Sequence, residues 1–277
     1  MKSSTLPRPL LNTHKKEVLD LYPGKIDLYL LWFDSGANRP LDQELHAFLN
    51  DQERQTCLSM GSSHRRREYL FSRVLTRFCL SAYTGIEIRE LEFFRETNVK
   101  PGLKNPSLQF NLSHTEGLIA LSISSHPVGI DVENTDLVKT RRNWSLLAER
   151  YFSPSEKDFL GHQPSQLQPF IFFKIFTLKE AYFKTQGRGW GGSGVDFTIP
   201  FEVAERSRSG SLEFFSNNLR DNSYCLAHVV DLAGDREVPS IAWKGPGANR
   251  PETFYKIREW NEDTLAEELL SQAEVRD

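Results

Sequence analysis

The 277-residue chain is short of cysteine, of long apolar runs and of any excess of one charge, and each shortage closes off a class of function. Its three cysteines, Cys57, Cys79 and Cys225, are odd in number and far apart, which excludes a disulfide framework and a zinc-ligand spacing and suits a reducing compartment. No stretch approaches the ~18 consecutive apolar residues of a membrane span. The first twenty residues are polar and broken by Pro7 and Pro9, without the apolar centre of a signal peptide, so a cytoplasmic protein with no membrane partner is expected. A formal net charge of −3 argues against bulk electrostatic binding to nucleic acid, so an anionic ligand must be met by locally placed basic groups. What is present is the composition of a globular protein with well-filled cores: 39% hydrophobic and 26% charged residues, with 19 Phe. The length suffices for one large domain or two of roughly 100–150 residues.

The pattern along the chain predicts α+β. Residues 1–22 read as an irregular arm ahead of a strand at Ile26–Phe33, and Leu41 to Tyr83 is helical in pattern. Short strands are expected at Leu91–Phe94, Leu108–Leu112, Leu118–Ser124 and Gly129–Glu133, then helices at Arg142–Phe152, Ser155–Leu160 and Gln166–Gln186. Ser153-Pro154-Ser155-Glu156 supplies a cap, an early proline and an early acid for the second of these. Further strands are expected at Val195–Ile199, Ser211–Phe215, Tyr224–Val230 and Ser240–Trp243. Strand, long helix, strands occurs twice, over 26–124 and 128–243. Two pseudo-symmetric halves are therefore expected, each a small, mostly antiparallel sheet packed with a long helix. The divisions read as 1–127, 128–243 and a charged tail at 244–277, with the functional site at the junction of the halves.

Chemistry concentrates in three places. In Val128-Gly129-Ile130-Asp131-Val132-Glu133 the two carboxylates are two apart in a strand and share a face. About fifty residues on, Glu180 and Lys184 are four apart on one helix face. Three carboxylates and a lysine brought together would hold a hard divalent cation and the phosphates it bridges. Phe110-Asn111-Leu112-Ser113-His114 ends a strand in a pair suited to clamping phosphate, and no Gly-x-Ser-x-Gly elbow makes Ser113 a hydrolase nucleophile. The third place is basic: Arg65, Arg66, Arg67, Arg73 and Arg77 on a helix, Lys100 on a turn, and Arg188 between two glycines.

In order and spacing, Asn111–His114, Val128–Glu133 and Phe176-Thr177-Leu178-Lys179-Glu180-Ala181-Tyr182-Phe183-Lys184 resemble the motifs of 4′-phosphopantetheinyl transferases of the surfactin-synthetase-activating (Sfp-like) group. The stretch from Arg66 to Arg77 and the Lys100-Pro101 turn are similar to that family in kind and position. Phe176 departs from it, standing where the family usually has Trp. The resemblance implies Mg²⁺-dependent transfer of the phosphopantetheine arm of coenzyme A to a serine of an acyl or peptidyl carrier protein, releasing adenosine 3′,5′-bisphosphate. It implies that Asp131, Glu133 and Glu180 hold the metal, that Glu180 activates the serine, and that Lys184 binds the diphosphate. Arg66 or Arg73, with Lys100, Ser113 and His114, would seat the coenzyme. A monomer is expected, since one chain with two like halves can build the site alone. An acidic carrier is expected to dock near Arg188-Gly189-Trp190. The carboxylates alone leave two alternatives open: a Mg²⁺-dependent nucleotide pyrophosphohydrolase, and a non-catalytic module that binds coenzyme A or a carrier.

Overall fold

A computed structural model describes residues 19, 25–34, 39–94, 102–103, 108–136, 144–187, 194–199, 206–232 and 254–274. The elements run β1 (Lys25–Trp32), α1 (Leu41–Leu45), α2 (Asp51–Ser59), α3 (Ser63–Thr84), β2 (Phe93–Phe94), β3 (Gly102–Leu103), β4 (Gln109–Thr115), β5 (Leu118–Ser124) and β6 (Val128–Asn134). They continue with α4 (Trp144–Tyr151), α5 (Pro154–Gly161), α6 (Gln168–Thr185), β7 (Arg206–Ser209), β8 (Leu212–Leu219), β9 (Tyr224–Asp231), β10 (Phe254–Asn261) and α7 (Glu262–Glu274). The class is α+β, as the sequence pattern predicts.

The two halves repeat one arrangement. One four-stranded sheet has the order β10-β1-β5-β4 and the other β6-β9-β8-β7, so in each the first strand of the half pairs antiparallel with its last. Alternation along β1 sends Tyr29 and Leu31 into a core with Leu70, Phe71, Val74 and Phe78 of α3. Ile26, Leu28, Leu30 and Trp32 point the other way, into a second core with Val128, Ile130 and Val132 of β6 and Leu226 and Val230 of β9. The halves are thus joined by apolar burial, and β6 is left with Gly129, Asp131 and Glu133 on its opposite face. The facing edges of β4 and β6 are also stitched by side chains: Asn111 Oδ1 accepts from the Ile130 amide at 2.9 Å, and Thr115 Oγ1 from that of Asn134 at 3.2 Å.

Local signals set the helix ends. The Ser62 hydroxyl caps α3, which stops at Gly85 in the left-handed region (φ 68°). Ser153 and Glu156 form the capping box of α5, with Pro154 in its first turn.

Several expectations need correction. The helical stretch from Leu41 is three helices, separated at Leu49-Asn50 and at Met60–Ser62. Val195–Ile199 is not a strand; Gly194–Asp196 forms a 3₁₀ turn. The last segment, read as a charged tail, carries β10, which pairs parallel with β1 throughout its length, and α7, whose Leu265, Ala266 and Leu269 enter the α3 core. Its exposed Ile257 and Glu259 hide the strand from periodicity, because β10 is a sheet edge that needs only one good apolar anchor, Trp260. Arg67 fastens this segment, with its guanidinium on Asp42 at 2.9 Å and on Glu262. The expected strand at 240–243 and most of the N-terminal arm lie outside the described residues. Among the described residues no helix is long and apolar enough to cross a membrane.

The core between the halves holds the buried His228. His228 Nε2 lies 2.8 Å from Ser122 Oγ, and burial lowers its pKa to about 3. An unfolded chain binds a proton there below about pH 6.5 while the folded one excludes it until far lower pH. Stability linked to His228 is therefore complete above pH 6.5 and is lost as pH falls towards 3, at up to ~1.4 kcal/mol per pH unit. Denaturant unfolding at pH 7 and pH 5 should show a larger acid loss in the native chain than in His228→Gln; equal losses would refute this origin.

Candidate active site

The site is built where β6, α6 and the β4 edge meet. Gly129 allows the contact: a methyl group there would overlap the Ala181 carbonyl oxygen and lie 2.5 Å from the Thr185 amide nitrogen. Helix α6 therefore lies against the β6 backbone, and Thr185 Oγ1 fixes it by donating to the carbonyls of Ala181 (2.8 Å) and of Val229 on β9 (3.1 Å). This close approach presents Glu180 and Lys184 to Asp131.

Lys184 Nζ is 2.6 Å from Asp131 Oδ1 and 3.0 Å from Ser113 Oγ, and Ser113 Oγ donates to the same Asp131 oxygen at 2.8 Å. Asp131 is 4% exposed, and its Oδ2 is buried without a hydrogen bond. Burial first, and the neighbouring Asp131 second, raise the Glu180 pKa to about 7, with Lys184 pulling the other way. Asp131 and Glu180 are thus electrostatic neighbours although they come from distant segments. Glu133, half-buried, follows on the same face of β6.

This donor set suits a hard cation: oxygen ligands, an orphaned buried carboxylate oxygen, and two like charges crowded together. Asp131, Glu180 and Glu133 are the residues that would hold it. Among the described residues, no trio of His, Cys, Asp or Glu is gathered for a metal as it stands, and the positive charge against Asp131 is the Lys184 ammonium.

Ser113 and His114, adjacent in sequence, leave opposite faces of β4. His114 turns to α3, where its Nδ1 lies 3.2 Å from Glu68 Oε1, and this hydrogen bond above all holds the Glu68 carboxyl below its usual range. His64 and Arg65 add positive charge around Glu68. The expected coenzyme arginines are engaged elsewhere. Arg66 donates to the Met60 carbonyl at 2.6 Å, while Arg73 and Arg77 share Glu53 at 2.5 and 2.6 Å. At about 100° per residue these three lie roughly opposite His64 and Glu68 on α3. Lys100 and the Arg188–Trp190 stretch lie outside the described residues.

A family model described as the 4′-phosphopantetheinyl transferase superfamily matches residues 127–241, and one described as 4′-phosphopantetheinyl transferase, N-terminal, matches residues 39–126. The chain is 32% identical over 161 residues to the 4′-phosphopantetheinyl transferase HetI of Nostoc sp., a match spanning 54% of this chain and 67% of that protein. It is 30% identical over 157 residues to psf-1 of Bacillus pumilus (56% of this chain, 65% of that protein) and 26% over 163 residues to Sfp of Bacillus subtilis (58% and 70%). This chain belongs to the 4′-phosphopantetheinyl transferase superfamily. It is accordingly a transferase, and its matches span about two thirds of each of these relatives' own length.

The boundary between the two matched phosphopantetheinyl transferase regions, 126/127, falls immediately before β6 and so at the seam where the site forms. Ser113 and His114 come from one region, and Asp131, Glu133, Glu180 and Lys184 from the other. Motif reading passed over Gly129 as a positioning residue, although an isolated glycine in a β-branched strand is a signal for close backbone approach. It also gave Lys179 no role. Lys179 points away from Glu180 and is fully buried, donating to Glu156 Oε2 at 2.6 Å and to the Phe197 carbonyl at 2.5 Å. Glu156 Oε1 accepts from the Ile199 amide at 2.8 Å, so Lys179 and Glu156 tie α6, α5 and the stretch at 197–199 together. Phe176 stacks on Phe172 with ring centroids 5.4 Å apart, a packing role for the aromatic that departs from the family pattern.

Proposed function

We propose that the chain transfers the 4′-phosphopantetheine arm of coenzyme A to a serine hydroxyl of an apo acyl or peptidyl carrier protein, with adenosine 3′,5′-bisphosphate leaving. The observation that carries this reading is the cluster of Asp131, Ser113 and Lys184 beside the Glu180 carboxyl. Glu180 accepts the proton of the attacking hydroxyl, directly or through a bound water. Lys184 donates to diphosphate oxygens, with Ser113 Oγ beside it. His114 offers a ring N–H donor, and Arg65 on the facing side of α3 a positive charge, for the nucleotide phosphates. That role takes the place of the one expected of Arg66 and Arg73, which are spent on Met60 and Glu53. Mg²⁺ held by Asp131, Glu180 and Glu133 would neutralise charge on the diphosphate. Both halves of one chain line the site, which suits a monomer.

Purified protein with coenzyme A, Mg²⁺ and an apo carrier should add the mass of one phosphopantetheine arm to the carrier, read by mass spectrometry. Fatty-acid, polyketide and peptide carriers, tested in parallel, identify the class served. No mass gain on any of them, with coenzyme A hydrolysed at a catalytic rate in the carrier's absence, would replace this reading by the pyrophosphohydrolase.

A further inference from the structure

We propose that Lys184 is an exchangeable counter-ion: it neutralises Asp131 in the ligand-free protein and must leave before a divalent cation can bind there. The inference rests on the reading that this site takes a cation together with a diphosphate, and it adds the state of the site before either arrives.

The two partners in the ion pair are not equally fixed. Asp131 sits within the paired length of β6, and its Oδ1 is held from the neighbouring sheet edge by the Ser113 hydroxyl at 2.8 Å. Lys184 reaches it with a long, flexible side chain that is 28% exposed, so the lysine is the partner that can swing away. Its ammonium is on Oδ1 at 2.6 Å, while Oδ2 is buried and accepts no hydrogen bond. A cation drawn to that orphaned oxygen would stand beside the ammonium on the same carboxylate, and the two positive charges repel in a poorly solvated place. Cation alone therefore has to break the Asp131–Lys184 pair and send the ammonium to water. A diphosphate arriving with the cation gives Lys184 new anionic acceptors, so each ligand removes part of the cost of binding the other, and the coupling is reciprocal.

Mn²⁺, followed by electron paramagnetic resonance as a stand-in for Mg²⁺, tests this on the full chain without reference to turnover. Without coenzyme A, Lys184→Met should bind Mn²⁺ about tenfold more tightly than the native chain, because Asp131 is no longer neutralised. Lys184→Gln, which keeps a polar end and guards against a folding defect in the first variant, should behave alike. Coenzyme A should strengthen Mn²⁺ binding more in the native chain than in either variant, after correction for Mn²⁺ bound by free coenzyme A. Adenosine 3′,5′-bisphosphate, which has no diphosphate, should strengthen neither. Native-like or weaker Mn²⁺ binding in both variants overturns the exchange while leaving phosphopantetheine transfer intact. Tighter Mn²⁺ binding in a protein that modifies no carrier supports the exchange and removes the transfer reading alone.

Discussion

Gly129→Ala is expected to fold less stably by about 1–3 kcal/mol and to lose transfer activity on the order of 10²-fold or more. The added methyl overlaps the Ala181 carbonyl and crowds Thr185 at both its amide nitrogen (2.5 Å) and its Oγ1 (2.6 Å). The atoms it meets are largely helix backbone, so relief requires α6 to move away from β6 as a body. That movement carries Glu180 and Lys184 away from Asp131, and a displacement of an ångström is enough to spoil a reacting geometry. Gly161→Ala is the control: it lies at the end of α5 with nothing within 4 Å of an added Cβ, and it should lower neither quantity. Denaturant unfolding and initial transfer rates on an apo carrier measure both. A Gly129→Ala protein with native stability and rate would show that the close approach of helix and strand is dispensable.

Asp131→Asn should separate catalysis from stability. The substitution keeps the shape and removes the charge that the Ser113 hydroxyl and Lys184 both address. The rate should fall on the order of 10²–10³-fold, the scale for removing one preorganised electrostatic group from a site of this kind. Stability should shift by no more than about 1 kcal/mol, because the partly exposed Lys184 can turn to solvent and a buried charge with an unbonded oxygen is lost. Without Asp131 beside it, Glu180 should also return part of the way towards an ordinary carboxyl pKa, with burial still raising it and Lys184 still lowering it. A native rate in Asp131→Asn would remove this carboxylate from the chemistry.

The parts of the site that were legible in the sequence are those governed by local periodicity. A period of two put Asp131 and Glu133 on one face of β6, and a spacing of four put Glu180 and Lys184 on one face of α6. The cap at Ser153 and the twofold recurrence of strand, helix and strands were readable for the same reason. The internal partners of the α3 arginines were not. Guanidinium groups look alike in sequence whether they meet a ligand or an internal carboxylate, and the one that engages Arg73 and Arg77, Glu53, lies on a separate helix. The strand β10 escaped as well. Its partner, β1, is more than two hundred residues away, and an edge strand tolerates charge on its open side.

By itself the sequence determined the α+β class, the two-half plan, and which acidic groups share a strand face and which Glu and Lys share a helix face, since each follows from residue type and near-neighbour spacing. Only the tertiary structure decided that α6 touches β6 through Gly129, that Lys184 rests on Asp131, and that Ser113 meets Asp131 while His114 meets Glu68. Those outcomes depend on which surfaces of distant segments pack together, and no spacing along a chain encodes the distance between segments that meet only after folding.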